Sequence, residues 1–191
     1  MPTRIAIAGG GVSGGLLAGT LSKHTDLEVI CFEKVGHDEH RTAGNGLNVG
    51  PNGLCLLKSE LPEIERQLRA RSLPWERWRA CYADGTEAYH IPLAEVAPAA
   101  GIRIRWSDLY EIARKTGGDY VRYNSYIHGA EYDQSLDKVT AHIRNSRTGE
   151  DGSITVDLLI AADGRYSAIR ESLAGAPSPR HLGVSNFRCL L

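Results

Sequence analysis

The chain has 191 residues, with 22 Lys plus Arg against 23 Asp plus Glu, a net charge of −1 and 42% apolar residues. So even a balance lacks the basic excess with which a nucleic-acid partner would be bound, and no uninterrupted apolar run approaches the roughly 20 residues of a membrane span. The four cysteines, Cys31, Cys55, Cys81 and Cys189, form no CxxC pair, so neither a zinc site nor a disulfide framework is expected, and reduced thiols in a cytoplasmic protein are.

In chain order, residues 4–8 read as a short buried strand. A basic residue before an apolar run can mimic a signal peptide, but here five of the next seven residues, Gly9 to Gly15, are glycine, which breaks the run,. From Val12 to about Lys23 the spacing is helical, with Leu16, Leu17, Ala18 and Leu21 on one face,. Residues 27–34 read as a second strand that ends in charge. Strand, glycine turn, helix and strand make a βαβ unit, which implies a parallel sheet. A glycine-rich loop is expected over 35–50; its His37 and His40 have no ligand-rich segment beside them and read as loop residues. Residues 51–71 read as helical with a break near Pro62, and Pro51 suits a first helical turn. Over 75–98 the pattern changes: Trp75, Trp78, Tyr82 and Tyr89 surround an Asp84-Gly85 turn, a hairpin signal,. A helix is expected over 105–116, strands over 138–144 and 153–163, and a short helix from Ser167 to Leu173.

Gly9, Gly11 and Gly14 stand as G-x-G-x-x-G between the first strand and the first helix. In that context the first glycine permits a tight turn, the second lets a diphosphate approach the backbone, and the third lets helix and strand pack closely. The amides around Val12 and Ser13 then face the phosphates, and the helix dipole favours their charge. Glu33 closes the second strand about 20 residues further on, where a carboxylate grips ribose hydroxyls. A carboxylate there repels a 2′-phosphate, which leaves NAD or the ADP half of FAD.

The segment "DLLIAADGRYSAIR" (157–170) is a strand that ends in Ala161-Ala162-Asp163-Gly164, followed by Ser167 and Arg170. It resembles the Asp-Gly fingerprint of the class A flavoprotein monooxygenases, the para-hydroxybenzoate hydroxylase family, with Ala161 where that family usually has glycine. "GLNVGPNGLCLL" (46–57) resembles the family segment after the second strand. The resemblance implies an α/β fold: a Rossmann-like FAD-binding domain of the glutathione-reductase type, mainly parallel, with part of a β-rich substrate domain inserted. It implies FAD-binding parts over 1–74 and 99–175, the start of the substrate-domain sheet over 75–98, where Tyr82 and Tyr89 are candidate lining residues, and an entry to that domain over 176–191. The later Gly-Asp motif of the family does not occur, so the chain reads as an N-terminal portion that the remainder of a polypeptide, or a second chain, completes.

By the same resemblance Gly9, Gly11, Val12, Ser13 and Gly14 face the FAD diphosphate, and Glu33 with Lys34 the adenosine ribose. Arg41 and Arg105 correspond to flavin-contacting arginines, Ile127 lies against the adenine, and Asp163 with Gly164 approaches the ribityl and diphosphate region. The implied activity is hydroxylation of an activated aromatic or N-heteroaromatic ring with NADH or NADPH and dioxygen, through a flavin C4a-hydroperoxide. Partners then are a small aromatic substrate and dioxygen, with no nucleic acid and no membrane, and a homodimer is allowed. The alternatives are another flavoprotein oxidoreductase on the same scaffold, a reductase or halogenase, and a non-catalytic nucleotide-binding module.

Overall fold

The computed structural model describes residues 1–39, 45–175 and 178–184. In chain order the elements are β1 (Thr3–Ala8), α1 (Val12–Leu21), β2 (Leu27–Glu33), β3 (Gly46–Val49), α2 (Pro51–Glu60) and α3 (Pro62–Ala70). There follow β4 (Leu73–Trp75), β5 (Arg77–Cys81), β6 (Glu87–Pro92), α4 (Leu93–Val96), β7 (Gly101–Arg105) and α5 (Trp106–Gly117). After a 3-10 turn come β8 (Val121–Tyr123), β9 (Ser125–Asp133), β10 (Lys138–Asn145), β11 (Asp151–Val156), β12 (Leu158–Ala161) and α6 (Ala168–Ala174). Two compact units result: the described residues of Met1–Arg41 with Ala113–Asn186, and those of Thr42–Ile112.

The first unit is built on a parallel sheet of order β12-β1-β2-β8. Period-two alternation along β1 sends its side chains into two cores. Ile5 and Ile7 join Ala18, Val29, Cys31 and Val121 under α1. Ala6 and Ala8 join Phe32, Ile127, Ala141, Val156 and Ile169 on the opposite face, where the antiparallel meander β9-β10-β11 covers the sheet. Ile7 is fully buried, a contribution of about 1.5–3 kcal/mol by transfer from water. Helix on one face of a parallel sheet and meander on the other is a three-layer α/β arrangement.

The expected strand over 153–163 is in fact two strands in two sheets, and Asp157 is the joint. Its amide donates to the Arg4 carbonyl at 2.9 Å, its Oδ2 accepts from the Arg4 amide at 2.7 Å, and its Oδ1 is bound by Lys138 Nζ. Strand-forming residues on both sides of Asp157, Ile154 to Val156 and Leu158 to Ile160, make the segment read as one strand,. The loop expected over 35–50 likewise contains a short strand, β3, whose Leu47 and Val49 are half-buried and which pairs with β7. The strands β4, β7 and β8 and the short helix α4 were not expected. The helix over 51–71 breaks at Leu61 ahead of Pro62, as anticipated, because proline cannot continue the hydrogen-bond ladder.

In the second unit, β7 lies between β3 and β4 in an antiparallel sheet, and β5 and β6 form the hairpin. Gly85 has φ +88°, the left-handed conformation that the turn requires,. Trp78 stands 5.9 Å from Trp75 and 6.0 Å from Tyr89, ring to ring.

Cys31 lies at the centre of β2 with no exposed surface. Burial first, and then the Glu33 charge, push its thiol from 9.0 up to about 12. Cys55 and Cys81 are exposed. Iodoacetamide is therefore expected to label Cys55 and Cys81 in the native protein and to spare Cys31, read by peptide mass mapping. A raised thiol stabilises the fold fully below pH 9 and loses that contribution as pH rises toward 12,. The loss of urea stability over that window should be shallower in Cys31→Ala.

Candidate cofactor-binding site

From β1 the chain runs through α1 to β2 on one side, and it returns from the meander to β12 on the other side. The carboxyl end of β1 is thus a topological switch point, where open α/β sheets bind their ligands.

Two glycine-linked segments meet there. Gly9 leaves β1 at φ +94°, and its amide donates to the Phe32 carbonyl at 2.8 Å. A Cβ on Gly9 would lie 2.6 Å from the Ala162 oxygen and 2.8 Å from the Asp163 Cα. A Cβ on Gly14 would lie 1.8 Å from the Gly9 oxygen. These two glycines therefore serve contact between backbones. Gly11 differs: a Cβ there would meet nothing within 4 Å. It is the N-cap of α1 and has no side-chain cap. The helix's first hydrogen bond runs from the Gly15 amide to the Gly11 carbonyl at 2.8 Å. The amides of Val12, Ser13 and Gly14 precede it and so lack an intrahelical acceptor. An open face, amides at a helix start and the positive end of the helix dipole together suit an anion.

Beside this face lies Glu33, only 7% exposed. Its Oε2 accepts from the Gly10 amide at 2.8 Å and its Oε1 from the Val35 amide at 2.9 Å. Each carboxylate oxygen keeps a further lone pair, enough for two vicinal hydroxyls. Lys34 is held through its carbonyl, which accepts from Ser146 Oγ at 2.6 Å, and its ammonium lies 5.1 Å from the Tyr126 ring centroid. Asp163 Oδ2 accepts from the Ile169 amide at 3.3 Å, and Ser167 Oγ from the Arg170 amide at 3.0 Å, so both cap α6,. Gly164 has φ +77°.

The structure thus gathers Gly9, Gly11, Val12, Ser13, Gly14, Glu33 and Asp163 at one sheet end. Ile127 is 2% exposed and packs in the meander-side core. Arg105 ends β7 in the second unit. Arg41 lies outside the described residues.

Four contributors escaped the sequence reading. A Cβ on Gly10 would lie 2.8 Å from the Glu33 Cβ. On α1, a Cβ on Gly15 would lie 2.6 Å from the Ala113 oxygen, and one on Gly19 2.0 Å from the Thr116 oxygen, so α1 presses its backbone on the last turns of α5. The Gly15/Gly19 spacing of four is the signal that could have found this contact, since such residues share a helix face. The fourth is Arg114, 6% exposed. Its Nη1 donates to the His37 carbonyl at 2.5 Å and the Glu39 carbonyl at 3.3 Å, its Nη2 to the Gly36 carbonyl at 2.8 Å. Its guanidinium lies 4.6 Å from the Tyr123 ring centroid. Among the described residues no group of three or more His, Cys, Asp or Glu is placed to hold a metal, and no helix is long and apolar enough to cross a membrane.

A diphosphate with an adjoining ribose fits what is present: a face that a Cβ would fill, amides at its rim and a buried carboxylate beside it. The FAD binding domain family matches residues 105–188. Among curated proteins, the chain is 27% identical over 187 residues to a chloroplastic zeaxanthin epoxidase of Arabidopsis thaliana, covering 91% of this chain and 26% of the relative. It is 26% identical to an FAD-dependent urate hydroxylase of Mycolicibacterium vanbaalenii and 25% identical to a 6-hydroxynicotinate 3-monooxygenase of Bordetella bronchiseptica, in each case over 98% of this chain and 47% of the relative. The chain thus spans about a quarter to a half of the length of these relatives. Among solved structures, RebC soaked with chromopyrrolic acid superposes with a TM-score of 0.67 at 25% identity, over 95% of this chain and 36% of RebC. The flavin-dependent monooxygenase PieE, in complex with FAD and substrate, superposes with a TM-score of 0.72 at 19% identity, over 91% of this chain and 32% of PieE.

Proposed function

We propose that this chain is of the class A FAD-dependent hydroxylase family, which it resembles in fold and sequence, and that it holds the ADP half of FAD at the start of α1 for an aromatic-ring monooxygenase. The single observation that carries this reading is the division of labour among the glycines. Gly9 and Gly14 are closed by backbone contact, whereas Gly11 faces open space with the Val12, Ser13 and Gly14 amides beside it.

In this reading those amides and the α1 dipole bind the diphosphate, and Glu33 accepts hydrogen bonds from the ribose hydroxyls through its free lone pairs. Ser13, exposed on the first turn, offers a hydroxyl to the same anion, and Lys34 adds positive charge on the adenosine side. Asp163, fixed by its cap on α6 and pressed on Gly9, borders the cleft where the ribityl chain continues. FAD, when bound and reduced by NADH or NADPH, supplies dioxygen activation and transfer of one oxygen to an electron-rich ring. The curated relatives named for urate and 6-hydroxynicotinate support an N-heteroaromatic substrate class.

Titration of the purified chain with FAD, followed by flavin fluorescence, tests the binding step. Saturable quenching that ADP reverses is expected. A chain that binds neither FAD nor ADP contradicts the assignment.

A further inference from the structure

We infer that Arg114 is a positioning residue for ribose recognition, and that the last turns of α5 set both halves of the cofactor site. The inference rests on the FAD reading above and adds to it what holds Glu33 and its loop in place.

Glu33 is followed at once by the segment that would border the adenosine. Within that segment the Val35 amide donates to Glu33 Oε1 and the Glu39 amide to the Gly36 carbonyl at 3.2 Å. Besides the Ser146 hydroxyl on the Lys34 carbonyl, a further anchor comes from far along the chain. The Arg114 guanidinium takes the carbonyls of Gly36, His37 and Glu39 together. The rigid planar fork serves these three carbonyls from two nitrogens held apart in one plane, whereas an ammonium must serve all three from a single point,. Tyr123, at the end of β8, lies under the guanidinium and edge-on to the His37 ring at 5.1 Å. The loop therefore has a buried cation as its hub.

The neighbours of Arg114 on α5 hold the other half. The Ala113 carbonyl lies where a side chain on Gly15 would go, and the Thr116 carbonyl where one on Gly19 would go. One helix end thus fixes the pitch of α1, whose start faces the diphosphate, and the path of the loop beyond Glu33, which faces the sugar. A shift of either by 1 Å would separate the two recognition elements.

The prediction concerns selectivity for the sugar. The wild-type chain should bind ADP about tenfold or more tightly than 2′-deoxy-ADP, because one hydrogen bond to a charged carboxylate is lost. In Arg114→Met that preference should fall to less than about threefold, while the affinity for 2′-deoxy-ADP itself stays within about threefold of wild type. Arg114→Lys keeps the charge and most of the stem, and it should lose the preference as well; it decides the matter if the Met variant fails to fold by circular dichroism. Retention of the preference in a folded variant, or an equal loss of both ligands, overturns the inference. A wild-type chain that binds neither ADP nor FAD refutes the FAD reading instead.

Discussion

Gly14→Ala is expected to abolish FAD binding and to lower the thermal midpoint by about 6–12 °C, whereas Gly11→Ala weakens FAD about tenfold or more with the midpoint held within about 4 °C. The contrast follows from where each methyl group would go. At position 14 it would stand 1.8 Å from the Gly9 oxygen, and both partners are backbone, so α1 must move off β1. Forced overpacking of this kind costs about 3 kcal/mol. At position 11 the φ of −69° is open to any residue, and the methyl group meets no protein atom within 4 Å. Exchange of a glycine N-cap for alanine costs roughly 0.5–1 kcal/mol. The methyl group would occupy instead the space through which a diphosphate reaches the amides. Scanning calorimetry and flavin fluorescence on the two variants separate a fold glycine from a ligand glycine.

Glu33→Gln carries the second large effect. The carboxylate is buried and receives the Gly10 and Val35 amides. An amide side chain must turn its NH2 toward one of those donors, leaving it unpaired, at about 1–3 kcal/mol of stability. Two changes in binding accompany this. ADP affinity should fall about tenfold, by the loss of charge-assisted bonds to the ribose. The discrimination against a 2′-phosphorylated adenine nucleotide should narrow, because the negative charge that repels it is gone. Calorimetric titration with ADP and with adenosine 2′,5′-bisphosphate reads both.

Legibility of the fold in the sequence followed the range of the interactions. The βαβ unit, the break at Pro62 and the Asp84-Gly85 hairpin are written in neighbouring residues, and they stand in the structure where the pattern put them, within a residue or two. Glu33 was legible because a strand end at a set distance after a glycine turn can be counted. Arg114 was not: its partners lie 75 to 78 positions away, and in a helical pattern that includes Leu109 and Ile112 it reads as one more surface cation. Gly10 was passed over because it occupies an unassigned position within the motif. Its need for no side chain arises from Glu33 and Val121, which reach it only after the sheet forms. The split of residues 153–163 at Asp157 was hidden for the same reason, since the partners that draw it out of the meander, Arg4 and Lys138, are remote in sequence. Ile127 shows the converse limit. An apolar residue between polar neighbours marks an inward-facing strand position, and in the structure that position packs against Ala6, Ala8 and Phe32.

The claim on which the account turns is that a nucleotide diphosphate sits on the amides at the start of α1. Amide chemical shifts of the nitrogen-15-labelled chain, followed through a titration with ADP, test it most directly. The largest shifts should fall on Val12, Ser13 and Gly14, with Gly10 and Val35 moving as Glu33 takes up the ribose. A titration that leaves those five amides in place while others move would contradict it.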